Sequence, residues 1–378
     1  MDALIAAWLR AAMALACALG CVGAQAWVVG QVAPLTGAGA AQGRAYVQGM
    51  RMHFDQVNRD GGIQGRPVQL VVMDDGGQPD QTVARTRELL AKTQPVVLAG
   101  FMGNANLAAL LASGLLEQER ISLVGYQGND MQVARAPQIY STRASLQDEM
   151  AKIASHLAIV GTTRLAVVVE QRPDGDALLK LAQTTATPAS ARLVAQMTLG
   201  NGPSQVDAAA ILLQKSDPAP QAILLIASSP TTAAFVEAYR RESGRAHLYV
   251  TSDADIEQLA MRLPPSLMSG LSITQVVPSP YRVTMRLNRE FRQVLATRPP
   301  PVQTYASYAM MHGYVNAKVV AEALRRAQPV KRETVNASLR NFNPHDLGDY
   351  WVSFKPGSQF GARFVDLSVV KASERITY

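Results

Sequence analysis

The sequence predicts an α/β protein of two lobes, each an open, Rossmann-like sheet flanked by helices. Three observations predict it. At 378 residues the chain exceeds the roughly 100–200 residues of one ordinary domain. Short apolar strand segments alternate with helix-period segments across loops that contain Gly or Pro, the pattern of parallel sheets built from βαβ units. The rhythm pauses at Tyr140-Ser141-Thr142-Arg143 and then restarts.

The elements follow in order. Val28 to Val32 reads as a strand, and Ala40 to Asn58 as a helix with Tyr46, Met50, Phe54 and Val57 on one face, stopped by Gly61-Gly62. Val68 to Met73 is a second strand, ending at Asp74-Asp75-Gly76-Gly77, and Gln81 to Ala91 its helix. Val96 to Gly100 with a helix from Ala105 to Leu116, then Ile121 to Gly125, complete one lobe. Ser145 with Asp148 fits an N-cap for a helix through His156. Strands at Leu165 to Val169, Val194 to Thr198, Ala222 to Ile226 and His247 to Val250 then alternate with helices at Asp176 to Thr184, Asp207 to Lys215 and Thr231 to Ser243. A strand from Ser272 to Val277 precedes helices at Met285 to Leu295 and Tyr305 to Arg326, and residues 351–355 and 363–370 read as a terminal antiparallel pair.

Composition and the N-terminus set the compartment. With 48% hydrophobic and 17% charged residues the chain can bury sizeable cores, and it has no long low-complexity tract. The apolar run from Ala11 to Gly23 ends at Ala24-Gln25-Ala26, an A-x-A site, so residues 1–26 are expected to be a secretory signal and the mature protein periplasmic. The run is shorter than the roughly 20 residues of a membrane span. Cys17 and Cys21 fall within it, which leaves the mature chain no disulfide or thiolate metal site. A lipid anchor at Cys21 would need a leucine-like residue three places earlier, where Ala18 stands. The net charge of +7 is scattered, its densest groups being Arg240-Arg241, Arg325-Arg326 and Lys331-Arg332 without interleaved aromatics, so no nucleic-acid partner is expected.

Several stretches carry a family resemblance: Gly30-Gln31-Val32-Ala33-Pro34-Leu35-Thr36-Gly37, Gly61-Gly62-Ile63-Gln64-Gly65-Arg66-Pro67, Arg143-Ala144-Ser145, Thr274-Gln275-Val276-Val277-Pro278, Gly313-Tyr314 and Phe364-Val365-Asp366-Leu367. In order and spacing the chain resembles the type 1 periplasmic binding proteins of the branched-chain amino-acid-binding family. The resemblance implies three crossings between the lobes, near residues 140–143, 274–277 and 343–348. It divides the chain into a first lobe of residues 27–142 and 275–345 and a second of residues 143–274 and 346–378. It also implies hinge closure on a small solute, delivery to an ABC permease in the inner membrane, and a monomer without cofactor or catalytic activity. A periplasmic sensor module serving a separate receptor or kinase is the competing reading of the same fold.

In open α/β sheets ligands sit outside the carboxyl ends of the strands, near helix N-termini. The candidate ligand-binding residues are accordingly Asn104, Asn106, Tyr126, Gln127, Arg143, Ser145, Ser229 and Asp253. The asparagines offer amide donors or helix caps, Tyr126 an aromatic face with a hydroxyl, and Arg143 a bidentate partner for a carboxylate or a hinge tie. Asp253 is a candidate for a ligand ammonium, with helix capping as its alternative. After the strand 165–169 the family's aromatic and acidic loop is replaced by Glu170-Gln171-Arg172-Pro173-Asp174-Gly175-Asp176, and after 222–226 stand Ala227-Ser228-Ser229-Pro230, departures that leave the ligand open between an amino acid and an organic or aromatic acid. Gly37-Ala38-Gly39-Ala40-Ala41-Gln42-Gly43 imitates a dinucleotide fingerprint, but its last glycine is one place late and its turn is too long. The five histidines are dispersed, and no HExxH, G-x-S-x-G or Gly-rich lysine loop is present.

Overall fold

The computed structural model describes residues 25–128, 136–186, 191–200, 202–297, 305–355 and 359–371. Residues 1–24 of the expected leader (residues 1–26), with both cysteines, lie outside them. The first sheet contains β1 (Trp27–Ala33), β2 (Val68–Asp74), β3 (Val97–Met102), β4 (Leu123–Gln127) and β5 (Ile139–Tyr140), all parallel, in the order β2-β1-β3-β4-β5. Between them run α1 (Ala40–Arg59), α2 (Pro79–Thr93), α3 (Asn104–Ala112) and the short α4 (Leu115–Gln118). Helices on both faces explain the near-continuous apolar strands: every residue of β3 is buried. The aspartates after β2 form the turn rather than a reactive pair. Asp74 Oδ1 accepts from Leu35 N at 2.8 Å and Gly76 N at 2.9 Å, and Asp75 Oδ1 from Gly77 N at 2.8 Å.

The second sheet contains β6 (Arg164–Glu170), β7 (Arg192–Leu199), β8 (Ala222–Ile226), β9 (His247–Val250), β10 (Ser272–Gln275) and β13 (Asp366–Val369). Its order is β7-β6-β8-β9-β10-β13, parallel except for β13 against β10. Its helices are α5 (Leu146–Ile159), α6 (Gly175–Ala186), α7 (Pro203–Gln214), α8 (Ser229–Arg241), α9 (Ile256–Arg262) and α10 (Pro265–Met268). Proline in the first turn starts α2, α7 and α8, where its missing N–H goes unneeded. Strand order reverses between β1 and β3 and again between β6 and β8, which gives each lobe one topological switch point.

After β10 the chain returns to the first lobe as α11 (Arg286–Thr297), α12 (Tyr308–Arg326) and α13 (Arg332–Arg340). Two glycines let α12 lie directly on α1: a Cβ on Gly49 would sit 1.9 Å from Met310 O, and one on Gly313 2.0 Å from Tyr46 O. The backbones themselves are the contact, so neither side can yield. Arg332 fixes α13 to the same lobe, reaching Pro95 O at 3.0 Å and Glu119 Oε2 at 2.7 Å.

The C-terminal segment departs from expectation. The expected pair of residues 351–355 and 363–370 does not form: β12 (Trp351–Val352) pairs with β11 (His345–Asp346), and β13 pairs with β10. A tight turn at Gly348-Asp349, both at positive φ, closes the β11-β12 hairpin through Leu347 N to Tyr350 O at 2.9 Å. This hairpin stays with the first lobe, since Leu287 N donates to Gly348 O at 2.8 Å and Arg286 pairs with Asp349 at 2.8 Å. The lobe boundary expected at residue 346 therefore falls inside it, and Gln275, expected to begin the first lobe's second segment, closes β10 opposite Asp366. The first two crossings meet the hairpin at one buried hydroxyl: Tyr350 Oη lies 2.8 Å from Thr142 O and 3.1 Å from Val276 O.

Gly313→Ala is expected to cost about 1–3 kcal/mol through overpacking, read as a lower urea midpoint at unchanged slope. An unchanged midpoint would mean that α1 and α12 do not cross this closely.

Candidate functional site: a polar cleft between the lobes

The carboxyl ends of β3, β4, β6, β8 and β9 face one another across a cleft of about 170 Å³. This is below the roughly 300–1,000 Å³ typical of sites for drug-sized ligands. The first lobe contributes Met102, Gly103 and Asn104 after β3, Gln127 and Gly128 after β4, and Gln42 from the first turn of α1. The second contributes Glu170 and Arg172 after β6, Ser228 after β8, and Ser252 and Asp253 after β9, while Arg143 enters from the first crossing.

Of the eight residues expected from the sequence, the structure brings Asn104, Gln127, Arg143 and Asp253 into the cleft. The other four do not line it, and each has a local engagement instead. Asn106 is buried with Nδ2 3.2 Å from Asp75 Oδ2, where it helps to hold the β2 turn. Tyr126 precedes Gln127 on β4 and so points to the opposite face of the sheet, into the core with Phe101, Leu107 and Ile139. Ser145 caps α5 in a capping box with Asp148. Ser229 Oγ, 6% exposed, accepts from Asp255 N at 2.9 Å, and its neighbour Ser228 takes the place in the cleft. Asp255, not Asp253, caps α9, with Oδ1 2.9 Å from Gln258 N. Sequence reasoning passed over Gln42, Glu170, Arg172, Ser228 and Ser252 as ligand contacts. All but Gln42 were within reach of the strand-end rule, because each stands within three residues of a strand's carboxyl end.

Two of the helix N-termini at the cleft, those of α8 and α3, differ in charge state. α8 begins at Ser228, and the Glu170 carboxylate already covers it, accepting from Ser228 N at 2.7 Å, from Ser228 Oγ at 2.9 Å and from Thr231 Oγ1. That end of the helix dipole carries an internal anion. α3 begins after Gly103, whose φ of 93° lets the chain turn directly out of β3. No side chain caps it, so its first N–H groups, an intrinsic anion site, open beside Asn104 into the cleft.

Arg143 is 3% exposed, with Nη2 3.1 Å from the Oε1 of Glu149, itself fully buried. Glu149 also accepts from Ser252 N and Ser252 Oγ, both at 2.8 Å, and from Thr274 Oγ1, so one carboxylate joins the first crossing, the loop after β9, and β10. Ser252 Oγ is shared between Arg143 and Glu149. Arg143 Nε and Gln127 Oε1 are buried with no hydrogen-bond partner, and both residues line the cleft. Gln127 Nε2 stands 3.3 Å from His312 Nδ1. Burial, with Arg143 nearby, pushes His312 down to about 3, so the ring is neutral and its Nδ1 can accept from the amide. Across the cleft, Arg172 is forked onto Asp174 through Nε and Nη2, with Nη1 3.4 Å from Asp253 Oδ2. Burial pushes the Asp253 carboxyl up to about 6; Arg143 and Arg172 pull it down, while Glu149 and Glu170 raise it further.

The lobes already touch in this conformation. Gln42 Nε2 donates to Asp255 Oδ2 at 3.0 Å, and Tyr308 N at the start of α12 donates to Glu257 Oε1 at 2.9 Å. Among the described residues no helix is long and apolar enough to cross a membrane, and no cluster of His, Cys, Asp or Glu could hold a metal ion.

Two open sheets with facing switch points, a hinge of three strands and a small polar cleft define a solute-binding protein fold. A family model described as periplasmic binding protein matches residues 26–362, and the chain belongs to that family. The structure of a substrate-binding periplasmic protein from Ralstonia solanacearum is similar at a TM-score of 0.82 and 31% identity, covering 91% of this chain and 98% of that one. An extracellular ligand-binding receptor from Verminephrobacter eiseniae ef01-2 has the same fold, with a TM-score of 0.85 at 24% identity over 94% of this chain and 100% of that one. An amino acid binding protein of Pseudomonas aeruginosa is 34% identical over 73 residues, 19% of this chain, so that the chain spans about a fifth (20%) of that relative's length.

Glu149→Gln removes the charge that compensates buried Arg143 and is expected to destabilise the protein by about 3–5 kcal/mol, measured by chemical denaturation. Arg143→Met with Glu149→Gln together should recover part of that loss. Equal losses in the single and double variants would refute the pairing.

Proposed function

We propose that the protein is the solute-binding component of an ABC importer, exported by its N-terminal signal to the periplasm, where it captures a small carboxylate-bearing solute by closing its lobes. The observation that carries this reading is the asymmetry of the two helix N-termini. The ligand carboxylate docks on the uncapped start of α3 at Gly103 and Asn104, with Arg143 Nε as a further donor. It does not dock on α8, whose start already carries the Glu170 carboxylate, held by Ser228 N and by the hydroxyls of Ser228 and Thr231. The second lobe instead presents Glu170 and Asp253, a wall suited to an ammonium group, so the solute is a zwitterion of the amino-acid type. The binding of an amino acid by the Pseudomonas relative agrees with this. Capture needs no cofactor and no bond-making step. Each hydrogen bond to a charged group contributes about 1.5–3 kcal/mol, so a handful supports affinity near micromolar, about −8 kcal/mol.

Closure is the direct test: small-angle scattering of the purified mature chain should show a smaller radius of gyration with an amino-acid mixture than without. An unchanged radius together with an unchanged melting temperature would overturn the reading.

The pH dependence has a definite sign. Asp253 must be ionised to hold an ammonium, and its carboxyl titrates at about 6 in the unliganded protein. Affinity should therefore fall by up to about tenfold per pH unit below that value, and Asp253→Asn should bind weakly with a flat profile. The unliganded protein should respond oppositely. Its Asp253 holds a proton more tightly than an unfolded aspartate does, so this group adds stability as pH falls from about 6 to 3.8.

A further inference from the structure

The walls of the cleft restrict which zwitterion fits. Among the described residues, Met102 is the only aliphatic side chain lining it, and no aromatic ring lines it. The surface beyond the two charged docking points is made of Gln42 and Gln127 from the first lobe and Arg172 and Ser252 from the second. An aliphatic ligand side chain closed into this space would strip water from amide and guanidinium groups and return no hydrogen bond, which penalises binding. Two atoms already lack a partner although buried: Gln127 Oε1, an acceptor, and Arg143 Nε, a donor. Both residues line the cleft; Arg143 Nε is assigned above to the ligand carboxylate, and Gln127 Oε1 is an acceptor that a side-chain hydroxyl or amide donor satisfies and an aliphatic side chain does not. Arg172 is oriented for the same task. Asp174 holds its Nε and Nη2 edge, which fixes the plane of the guanidinium, and Nη1 lies 3.4 Å from Asp253 Oδ2 at the cleft wall. The cleft of about 170 Å³ sets the scale of such a ligand: one small molecule with a short side chain.

We propose that the cleft selects amino acids whose side chain itself hydrogen-bonds, through a hydroxyl, amide or carboxylate, and rejects aliphatic ones, with Arg172 and Gln42 as specificity-determining residues. This rests on the reading of the protein as an amino-acid-type solute binder. It goes further by naming the side-chain chemistry, which the two charged docking points leave open.

The test is calorimetric titration of the mature full chain with serine, threonine, asparagine, glutamine, aspartate and glutamate, and separately with leucine, isoleucine and valine. At least one of the first group should bind at least about tenfold more tightly than every member of the second, and the best binder tells hydroxyl, amide and carboxylate apart. Equal or tighter binding of an aliphatic amino acid would overturn this proposal and leave the solute-binding reading standing; no binding by any of the nine would overturn both. Arg172→Met and Gln42→Leu provide a second measurement. Each should narrow the ratio between polar and aliphatic ligands, and Gln42→Leu tests this even if loss of Arg172 disturbs folding. A ratio unchanged in every variant that folds would remove these residues as the source of selectivity.

Discussion

The structure is organised around the buried carboxylate of Glu149. A charge taken wholly out of water persists only where donors surround it, and here they come from Arg143, the Ser252 backbone and hydroxyl, and Thr274. Those partners belong to the first crossing, the cleft loop after β9, and β10, which leads into the second crossing. The geometry of the cleft is thereby tied to the geometry of the hinge. A change in the angle between lobes alters the surroundings of Arg143, a residue that lines the cleft and whose buried Nε has no hydrogen-bond partner. Hinge and site are one network, the physical requirement for binding to be expressed as a change of shape.

A second constraint is electrostatic. The starts of α3 and α8 face the cleft from opposite lobes, and two bare N-termini would favour two anions. Glu170 removes that symmetry by occupying α8, so the second lobe turns an acidic face to the first. The compensation of both cleft arginines follows the same logic: Arg143 is matched by Glu149 and Arg172 by Asp174, so neither guanidinium leaves a large uncompensated charge in the unliganded cleft.

Much of this was legible in the sequence, for physical reasons. Parallel strands covered on both faces must be apolar throughout, so β3 and β8 are recognisable as runs, and helices such as α1 show their buried face at helical spacing. The departures after the strands at 165–169 and 222–226, visible as Glu170-Gln171-Arg172 and Ser228-Ser229, fall at the second lobe's cleft wall. What sequence could not decide was the direction of single side chains. Tyr126 and Gln127 are neighbours on one strand, and only the register of β4 sends one to the core and the other to the cleft. Asp253 and Asp255 are equally suited to cap α9, and the choice between them depends on where that helix starts. Gln42 sits in a helix turn that imitates a nucleotide fingerprint and gave no sign of reaching the opposite lobe. The β11-β12 hairpin escaped because two-residue strands carry too little pattern to be read.

The crossing of α1 and α12 through Gly49 and Gly313 bears on how the chain reaches this state. Residues near the start of the first lobe find their packing partner more than 250 positions later, and the second sheet likewise waits for β13 at 366–369. Neither lobe can complete its core early in synthesis; the first needs residues 308–326 and the second residues 366–369. Contacts of such long sequence separation slow folding, because loop closure must precede the gain from packing. A polypeptide wired in this way spends its synthesis without finished lobes, and its two halves mature together rather than in turn.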